Sequence, residues 1–143
     1  MKKKPKQETR FEYKGYPCVV LFQPFGFRCG YVGLPKENKY YGKTYGTIPV
    51  GCHGGLTYGR PYLSEQPDEN TWWIGFDCGH YGDAYDYEKA IEYFGDSEMY
   101  EMLKEENVAS HGTVKTLDYA ILECKEIVEQ LIKLEGRQNG KKA

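Results

Sequence analysis

Short apolar runs alternate with polar positions along the first half of the chain, a pattern that predicts β-strands. Turn residues such as Gly15 and Pro24 separate these runs, and the polar segments 35–46 and 64–70 are predicted loops. The predicted strands and extended segments are 10–14, 16–23, 27–34, 47–50, 56–58 and 71–78. The last of them is apolar on both faces, so we expect it to lie inside the sheet.

The spacing of apolar residues changes to a helical period in the last part of the chain. Two short helices are predicted over 87–94 and 97–106. Asp86 is the predicted N-cap of the first helix, and Asp96 or Ser97 is the predicted N-cap of the second, because short polar side chains satisfy the free backbone N–H groups of a first helical turn.

The third and longest predicted helix begins after Thr116 and ends at Gly136. Its apolar residues fall on one face at helical spacing: Leu117, Ala120, Ile121, Cys124, Ile127, Val128, Leu131 and Leu134. A helix with one apolar stripe buries that stripe against another layer of structure. We therefore expect this helix to cover one face of the sheet.

Strands followed by helices predict a single α+β domain over residues 10–136. Its sheet is expected to be mostly antiparallel, to come from the N-terminal two-thirds of the chain and to be covered by the C-terminal helices. The ends of the chain, 1–9 and 137–143, are basic and polar, and we predict that both are disordered tails.

Composition adds a strong charge asymmetry to this picture. Segment 1–63 holds eleven Lys and Arg against three acidic residues, a net charge of +8, whereas segment 64–143 holds eight against eighteen, a net charge of −10. A basic half favours a phosphate-bearing ligand. The overall net charge of −2 and the lack of a nucleic-acid-binding motif argue against a long nucleic acid as partner.

The five cysteines include no C-x-x-C pair and have no regular spacing. This pattern is typical of free thiols in a reducing compartment, so we expect a cytoplasmic protein. No apolar run approaches membrane-spanning length, and no membrane partner is expected. Whether the chain forms a homo-oligomer stays open at this point.

Two glycine-rich segments, 50–58 and 72–83, carry most of the candidate chemistry. The polar side chains that follow the predicted strands are His53, Asp77, His80 and Asp83. Gly54 and Gly55 allow the backbone next to His53 to turn tightly or to approach a ligand. Because sites are commonly built on loops at strand ends, we expect these residues to form one site.

Catalysis and metal binding are two interpretations of this cluster. A His paired with a carboxylate can act as a general base, so His53, His80, Asp77 and Asp83 are candidate catalytic residues. Cys52 and Cys78 lie next to these residues in the sequence, and a neighbouring His can activate a thiol. His and Asp are also metal ligands, but the spacing D-x-x-H-x-x-D matches no established metal motif. We therefore expect no metal and no cofactor.

Binding without turnover is the third interpretation. Arg28 and Arg60 are the expected phosphate contacts, because guanidinium groups form charge-assisted bonds with phosphate oxygens. Trp72, Tyr58 and Tyr31 are expected to stack on a base. The full set of predicted ligand-binding residues is Arg28, Tyr31, His53, Gly54, Gly55, Tyr58, Arg60, Trp72, Asp77 and His80.

Five motifs together resemble a family of small phage and prophage proteins with no assigned activity. They are RCGYVGLP at 28–35, HGGLTY at 53–58, WWIGFDCGHYGD at 72–83, TLDY at 116–119 and ECK at 123–125. The resemblance covers roughly residues 11–134, and Gly79 departs from it, since alanine is expected there. It implies an accessory protein that antagonises host defence by trapping a cyclic-nucleotide or ADP-ribose signal, by cleaving it or by binding a defence protein.

The leading hypothesis from the sequence is an anti-defence protein that binds and sequesters a nucleotide-derived immune signal without turnover. The first alternative is a hydrolase that cleaves such a nucleotide with the His and Asp cluster. The second alternative is a direct protein inhibitor of a host defence enzyme, in which the acidic helices over 86–106 imitate a nucleic acid.

Overall fold

Seven strands and three α-helices form the chain in the computed structural model, which describes residues 3–63 and 69–140, with side chains up to residue 136. The strands are β1 (Lys6–Tyr13), β2 (Tyr16–Phe22), β3 (Arg28–Pro35), β4 (Tyr58–Arg60), β5 (Thr71–Asp77), β6 (Asp83–Ala84) and β7 (Thr113–Val114). The helices are α1 (Tyr87–Phe94), α2 (Ser97–Glu105) and α3 (Leu117–Gly140).

Five strands pair into one antiparallel sheet in the order β1-β2-β3-β5-β4. β1, β2 and β3 follow one another through short turns, and β5 inserts between β3 and β4. The prediction that the 71–78 segment lies inside the sheet is therefore confirmed. The single α+β domain with a mostly antiparallel sheet is confirmed as well.

Helix α3 packs on one face of this sheet and closes the main core. Fully buried residues of α3, among them Cys124, Ile127 and Val128, meet Val20, Val32 and Ile74 of the sheet. Gly30 of β3 makes this packing close, because a Cβ at that position would lie 2.5 Å from the Phe76 ring and 2.9 Å from Cys124 Sγ.

The shorter helices pack at one end of the sheet instead of on its face. α1 and α2 contact each other and bury Tyr100 and Ala90 against Phe22 at the end of β2. Asp86 caps α1 as predicted, since its side chain accepts a hydrogen bond from the Lys89 N–H at 3.1 Å. Beside them, β6 and β7 form a small parallel pair.

Predicted boundaries are wrong in four places, one of them at β4, which occupies Tyr58–Arg60 instead of 56–58. Residues 6–9 belong to β1 instead of a disordered tail, because Glu8 forms a buried ion pair with Arg28 that fixes this segment. Segment 47–50 forms no strand, since a 3₁₀ turn occupies Tyr45–Thr47. Helix α3 continues past Gly136 to Gly140. The predicted loop 64–70 lies mostly outside the described residues.

Candidate functional site

The end of β5 is the place where the predicted site residues meet. The loop after β5 carries His80, Asp83 begins β6, and the loop before β4 carries His53 and Gly54. The segment that leads into α3 approaches from the other side. Four of the predicted residues, His53, Asp77, His80 and Asp83, thus lie in one cluster; the rings of His53 and His80 are 6.1 Å apart.

His53 is held on three sides. Its Nε2 donates to the carboxylate of Asp83 at 2.8 Å, and its Nδ1 lies 2.8 Å from the hydroxyl of Tyr119. Because a carboxylate only accepts, this pairing places the proton of a neutral ring on Nε2, and Nδ1 accepts from Tyr119. The backbone N–H of His53 also donates to Glu123 Oε1 at 2.7 Å. Both ring nitrogens are therefore engaged inside the protein.

Asp83 is a buried carboxylate that collects three donors. In addition to His53, it accepts from the His80 backbone N–H at 3.1 Å and pairs with Lys115 Nζ at 3.1 Å. Burial acts to raise the pKa of Asp83, but the hydrogen bonds from His53, His80 and Lys115 outweigh it and keep that pKa below its ordinary value. Asp83 is therefore ionised at neutral pH and anchors the two loops to the start of α3.

His80 and Asp77 form the more exposed part of the cluster, with 36% and 28% of their side chains exposed. His80 Nε2 lies 3.3 Å from Asp77 Oδ1. The other oxygen of Asp77 accepts from the Thr57 hydroxyl at 3.0 Å, and the Gly79 N–H donates to Oδ1 at 3.0 Å. This pair is the part of the cluster that a ligand can reach.

Gly54 permits the position of the His80 ring. It has a φ of +69°, and a Cβ added there would overlap His80 Nε2. That nitrogen is buried and has no hydrogen bond to the described part of the chain, so the exposed portion of the side chain belongs to the other ring atoms. The side chain that approaches the backbone closely at the Gly-Gly pair is thus His80 of the protein itself.

Sequence reasoning did not assign Lys115, Tyr119 and Glu123 to the site. Lys115 precedes α3, whereas Tyr119 and Glu123 lie in its first two turns; they reach His53 or Asp83 across 30 to 70 positions of sequence. The TLDY and ECK motifs at 116–119 and 123–125 contain two of them, and this was the available signal. Burial raises the pKa of Tyr119, with smaller contributions from nearby acidic groups such as Glu123, so its hydroxyl remains a proton donor.

The thiols next to the cluster are unsuited to nucleophilic attack. Burial raises the pKa of both Cys52 and Cys78 to about 12, with the negative charges of Glu123 and Asp83 adding to the effect. Because the thiolate is the reactive form, both cysteines are inert at neutral pH.

Arg28 lies apart from the cluster, and its side chain is buried. Its guanidinium forms two bonds to the carboxylate of Glu8, at 2.6 and 3.2 Å, donates to the Lys115 carbonyl at 3.0 Å and lies 3.5 Å from Asp86. These contacts occupy most of its donors. We therefore leave Arg28 out of the proposed site.

The remaining predicted ligand residues divide between the two faces of the sheet. Tyr31 and Tyr58 lie on the Asp77 face with their rings 5.0 Å apart, and Tyr31 is buried. Trp72 packs on the α3 face near Tyr41, away from Asp77, because alternate strand residues point to opposite faces. Arg60 pairs with Trp73 in register, about 13 Å along β5 from Asp77.

Comparison with models of known protein families, with curated proteins and with solved structures finds no match. Within the described residues, no group of three or more His, Cys, Asp or Glu side chains is placed to hold a metal ion. No helix in the same part of the chain is long and apolar enough to cross a membrane.

Proposed function

We propose that this chain binds a small nucleotide-derived ligand at the exposed Asp77–His80 pair and sequesters it without converting it. The observation that carries the proposal is the difference in solvent exposure between the residues of the cluster. His53, the best-placed base, has both ring nitrogens bound inside the protein, whereas Asp77 and His80 are open to solvent. A general base needs a nitrogen that reaches the substrate, but a binding site needs only accessible polar groups.

The chemistry of the exposed pair supports a sugar-containing ligand. A carboxylate at a strand end is a common acceptor for ribose hydroxyls, and Asp77 is held in place by Thr57 and Gly79. An imidazole can donate to or accept from a sugar or a base edge.

The biological role follows from the resemblance to phage and prophage proteins. A small protein that traps a nucleotide signal removes it from a host defence system by mass action and needs no turnover. We propose this anti-defence role for the chain, with a bacterial cytoplasm as its place of action.

Thermal-shift screening tests the proposal. AMP, ADP-ribose and a cyclic dinucleotide are each added to the purified protein, and a ligand of the native state raises the melting temperature, because it stabilises that state by an amount that grows with the logarithm of its concentration over its Kd. We expect at least one nucleotide to do so and to be recovered intact after heat denaturation. The His80→Ala variant is expected to lose about two- to tenfold in affinity, since it removes one hydrogen-bonding group from the exposed pair.

His111→Ala is the matched control, because His111 is exposed on a loop outside the cluster. It should bind like the parent protein. Absence of any shift across the panel, or an equal loss of binding in both histidine variants, would contradict the proposal.

A hydrolase is the second candidate, and the Tyr119–His53–Asp83 chain favours it. Asp83 orients the imidazole, and His53 Nδ1 faces a hydroxyl, which is the order of groups in a nucleophile–base–carboxylate triad. In this case a mass-shifted product is recovered in place of the intact nucleotide. His53→Gln then abolishes turnover while the ligand still binds; under sequestration, the same variant keeps binding, because His53 faces the protein and the amide replaces part of its internal hydrogen bonding.

A further inference from the structure

We propose that an aromatic platform formed by Phe25, Phe27 and Tyr85 stacks against the planar base of the ligand held at Asp77 and His80. The inference rests on the proposed function and adds the ligand's chemical class: the nucleotide carries an aromatic base, and the site reads that base by stacking. None of these three residues belongs to the set predicted from the sequence.

The platform is a continuous row of rings. The Phe25 and Phe27 rings lie nearly parallel, at an interplanar angle of 12° with centroids 6.1 Å apart, and the Tyr85 ring lies 5.1 Å from Phe27. Phe25 is 70% exposed. An aromatic ring left in water at the end of such a row presents an open π-face to a planar partner.

The turn that carries Phe25 is fixed by backbone hydrogen bonds. The Gln23 N–H donates to the Phe27 carbonyl at 2.8 Å, and the Gly26 N–H donates to the Gln23 carbonyl at 2.9 Å. Gly26 has a φ of +111°, which permits the tight turn. The exposed ring is therefore held on a defined turn before any ligand arrives, and this lowers the entropy lost on binding.

Gly79 joins the platform to the polar pair. A Cβ at Gly79 would lie 3.2 Å from the Phe27 ring and 3.3 Å from Asp77 Oδ1, so ring and carboxylate approach the same point. Tyr85 is also close enough to Asp77 and Asp83 that, after burial, their charges raise the pKa of its hydroxyl. One nucleoside can thus place its ribose hydroxyls at Asp77 and its base over the rings.

Stacking on exposed aromatic side chains is the common way in which proteins hold a base without distinguishing one base from another. The same rings beside a carboxylate and an imidazole provide both parts that a nucleoside requires, an apolar plane and hydrogen-bonding groups. This adjacency is the reason we assign the exposed rings to a base instead of a protein partner.

Two probes that differ only by the base test the inference: AMP and ribose 5-phosphate. Their affinities are measured by titration calorimetry for the parent protein, Phe25→Leu, Phe25→Trp and Tyr45→Leu. Phe25→Leu should weaken AMP binding about 5- to 100-fold, the effect of losing one stacked base, and leave ribose 5-phosphate unchanged. Phe25→Trp should retain AMP binding, because it restores a π-face.

Tyr45→Leu is the matched control, since Tyr45 is an exposed aromatic residue at the 3₁₀ turn beside β4. It should bind both probes like the parent. If AMP binds and Phe25→Leu changes the AMP affinity no more than Tyr45→Leu does, the platform is wrong and the proposed function stands. If both probes bind the parent equally well, the base is not read and the platform is again wrong. If neither probe binds, the platform is wrong for AMP, and the proposed function is then decided by the thermal-shift panel, in which absence of any shift contradicts it.

Discussion

Alanine substitutions at Gly54 and Gly55 distinguish the cost of a strained backbone conformation from the cost of a steric overlap with His80. Both have positive φ, +69° and +82°, so alanine is strained at either position. Only at Gly54 does the added Cβ overlap His80 Nε2; at Gly55 it meets no described atom within 4 Å. We expect Gly55→Ala to cost about 1 kcal/mol of stability and to keep the site.

Gly54→Ala is expected to cost more than Gly55→Ala and also to displace the His80 ring. The measurement is a pair of urea unfolding curves together with the imidazole ¹⁵N shifts of the two variants. A changed His80 signal in Gly54→Ala alone confirms the contact. Identical His80 signals in both variants would show that the ring does not lie against Gly54.

Asp83 makes the stability of the fold depend on pH in a defined direction. Its folded pKa is lower than the ordinary value of 3.8, so its contribution is complete above that value and is lost as the pH falls through the lowered pKa. We expect Asp83→Asn to cost about 3 kcal/mol at neutral pH, because it leaves Lys115 without its buried partner. The deficit should shrink as the pH falls below 3.8 and through the lowered pKa, because the carboxylate of the parent protein then becomes protonated.

Glu126→Gln is the control for this acid series, since Glu126 is exposed on α3. Its cost should stay within about 0.5 kcal/mol at every pH. Urea midpoints of the three proteins across the pH range provide the comparison. A deficit of Asp83→Asn that stays constant down to low pH would mean that the ionised carboxylate is not what stabilises the fold.

Helix α3 offers the same comparison for packing, with two leucines on one helix. Leu131 is 1% exposed and packs in the main core, whereas Leu122 is 55% exposed. Leu131→Ala is expected to cost about 3 kcal/mol, since it removes buried methyl groups and leaves a cavity. Leu122→Ala should change stability by less than about 0.5 kcal/mol. Chemical unfolding of both variants measures the difference, and equal costs would contradict the orientation of α3.

The elements that sequence predicted correctly are those with a strong local signal. The 71–78 run is apolar on both faces, and α3 has an apolar stripe with a capping Thr116, whose hydroxyl accepts from the Tyr119 N–H at 3.2 Å. The incorrect predictions concern segments whose conformation depends on a contact with a residue far away in the sequence. β1 extends to Lys6 because Glu8 pairs with Arg28, twenty positions away, and no local pattern reports that pairing.

The site shows the same limit. The four residues His53, Asp77, His80 and Asp83 could be predicted, because each is a polar side chain at or after a predicted strand end within a glycine-rich segment. Tyr119 and Lys115 could not be assigned from their surroundings, since an amphipathic helix start contains such residues for ordinary reasons. Only the packing of α3 on the sheet brings them to His53.

Arg28 connects distant parts of the molecule through one buried guanidinium. It bonds to Glu8 on β1, to the carbonyl of Lys115 before α3 and, at 3.5 Å, to the Asp86 cap of α1. Tyr93 of α1 adds a 2.6 Å hydrogen bond to Glu8. The N-terminal strand, the short helices and the segment that carries Lys115 are therefore held in place by a single ionic group.

We expect Arg28→Ala to destabilise the protein by about 3–5 kcal/mol, because it leaves the carboxylate of Glu8, only 2% exposed, buried without its partner. Adding Glu8→Gln to this variant should recover about 1 kcal/mol or more, since it removes the uncompensated charge. Arg60→Ala, at an exposed arginine on β4, should cost less than about 0.5 kcal/mol. Urea unfolding measures all three, and nucleotide affinity is measured under conditions where each variant is folded. An Arg28→Ala variant that has parental stability but has lost nucleotide binding would instead place this guanidinium in the ligand site. If the double variant recovers no stability, the uncompensated charge of Glu8 is not the cause of the destabilisation.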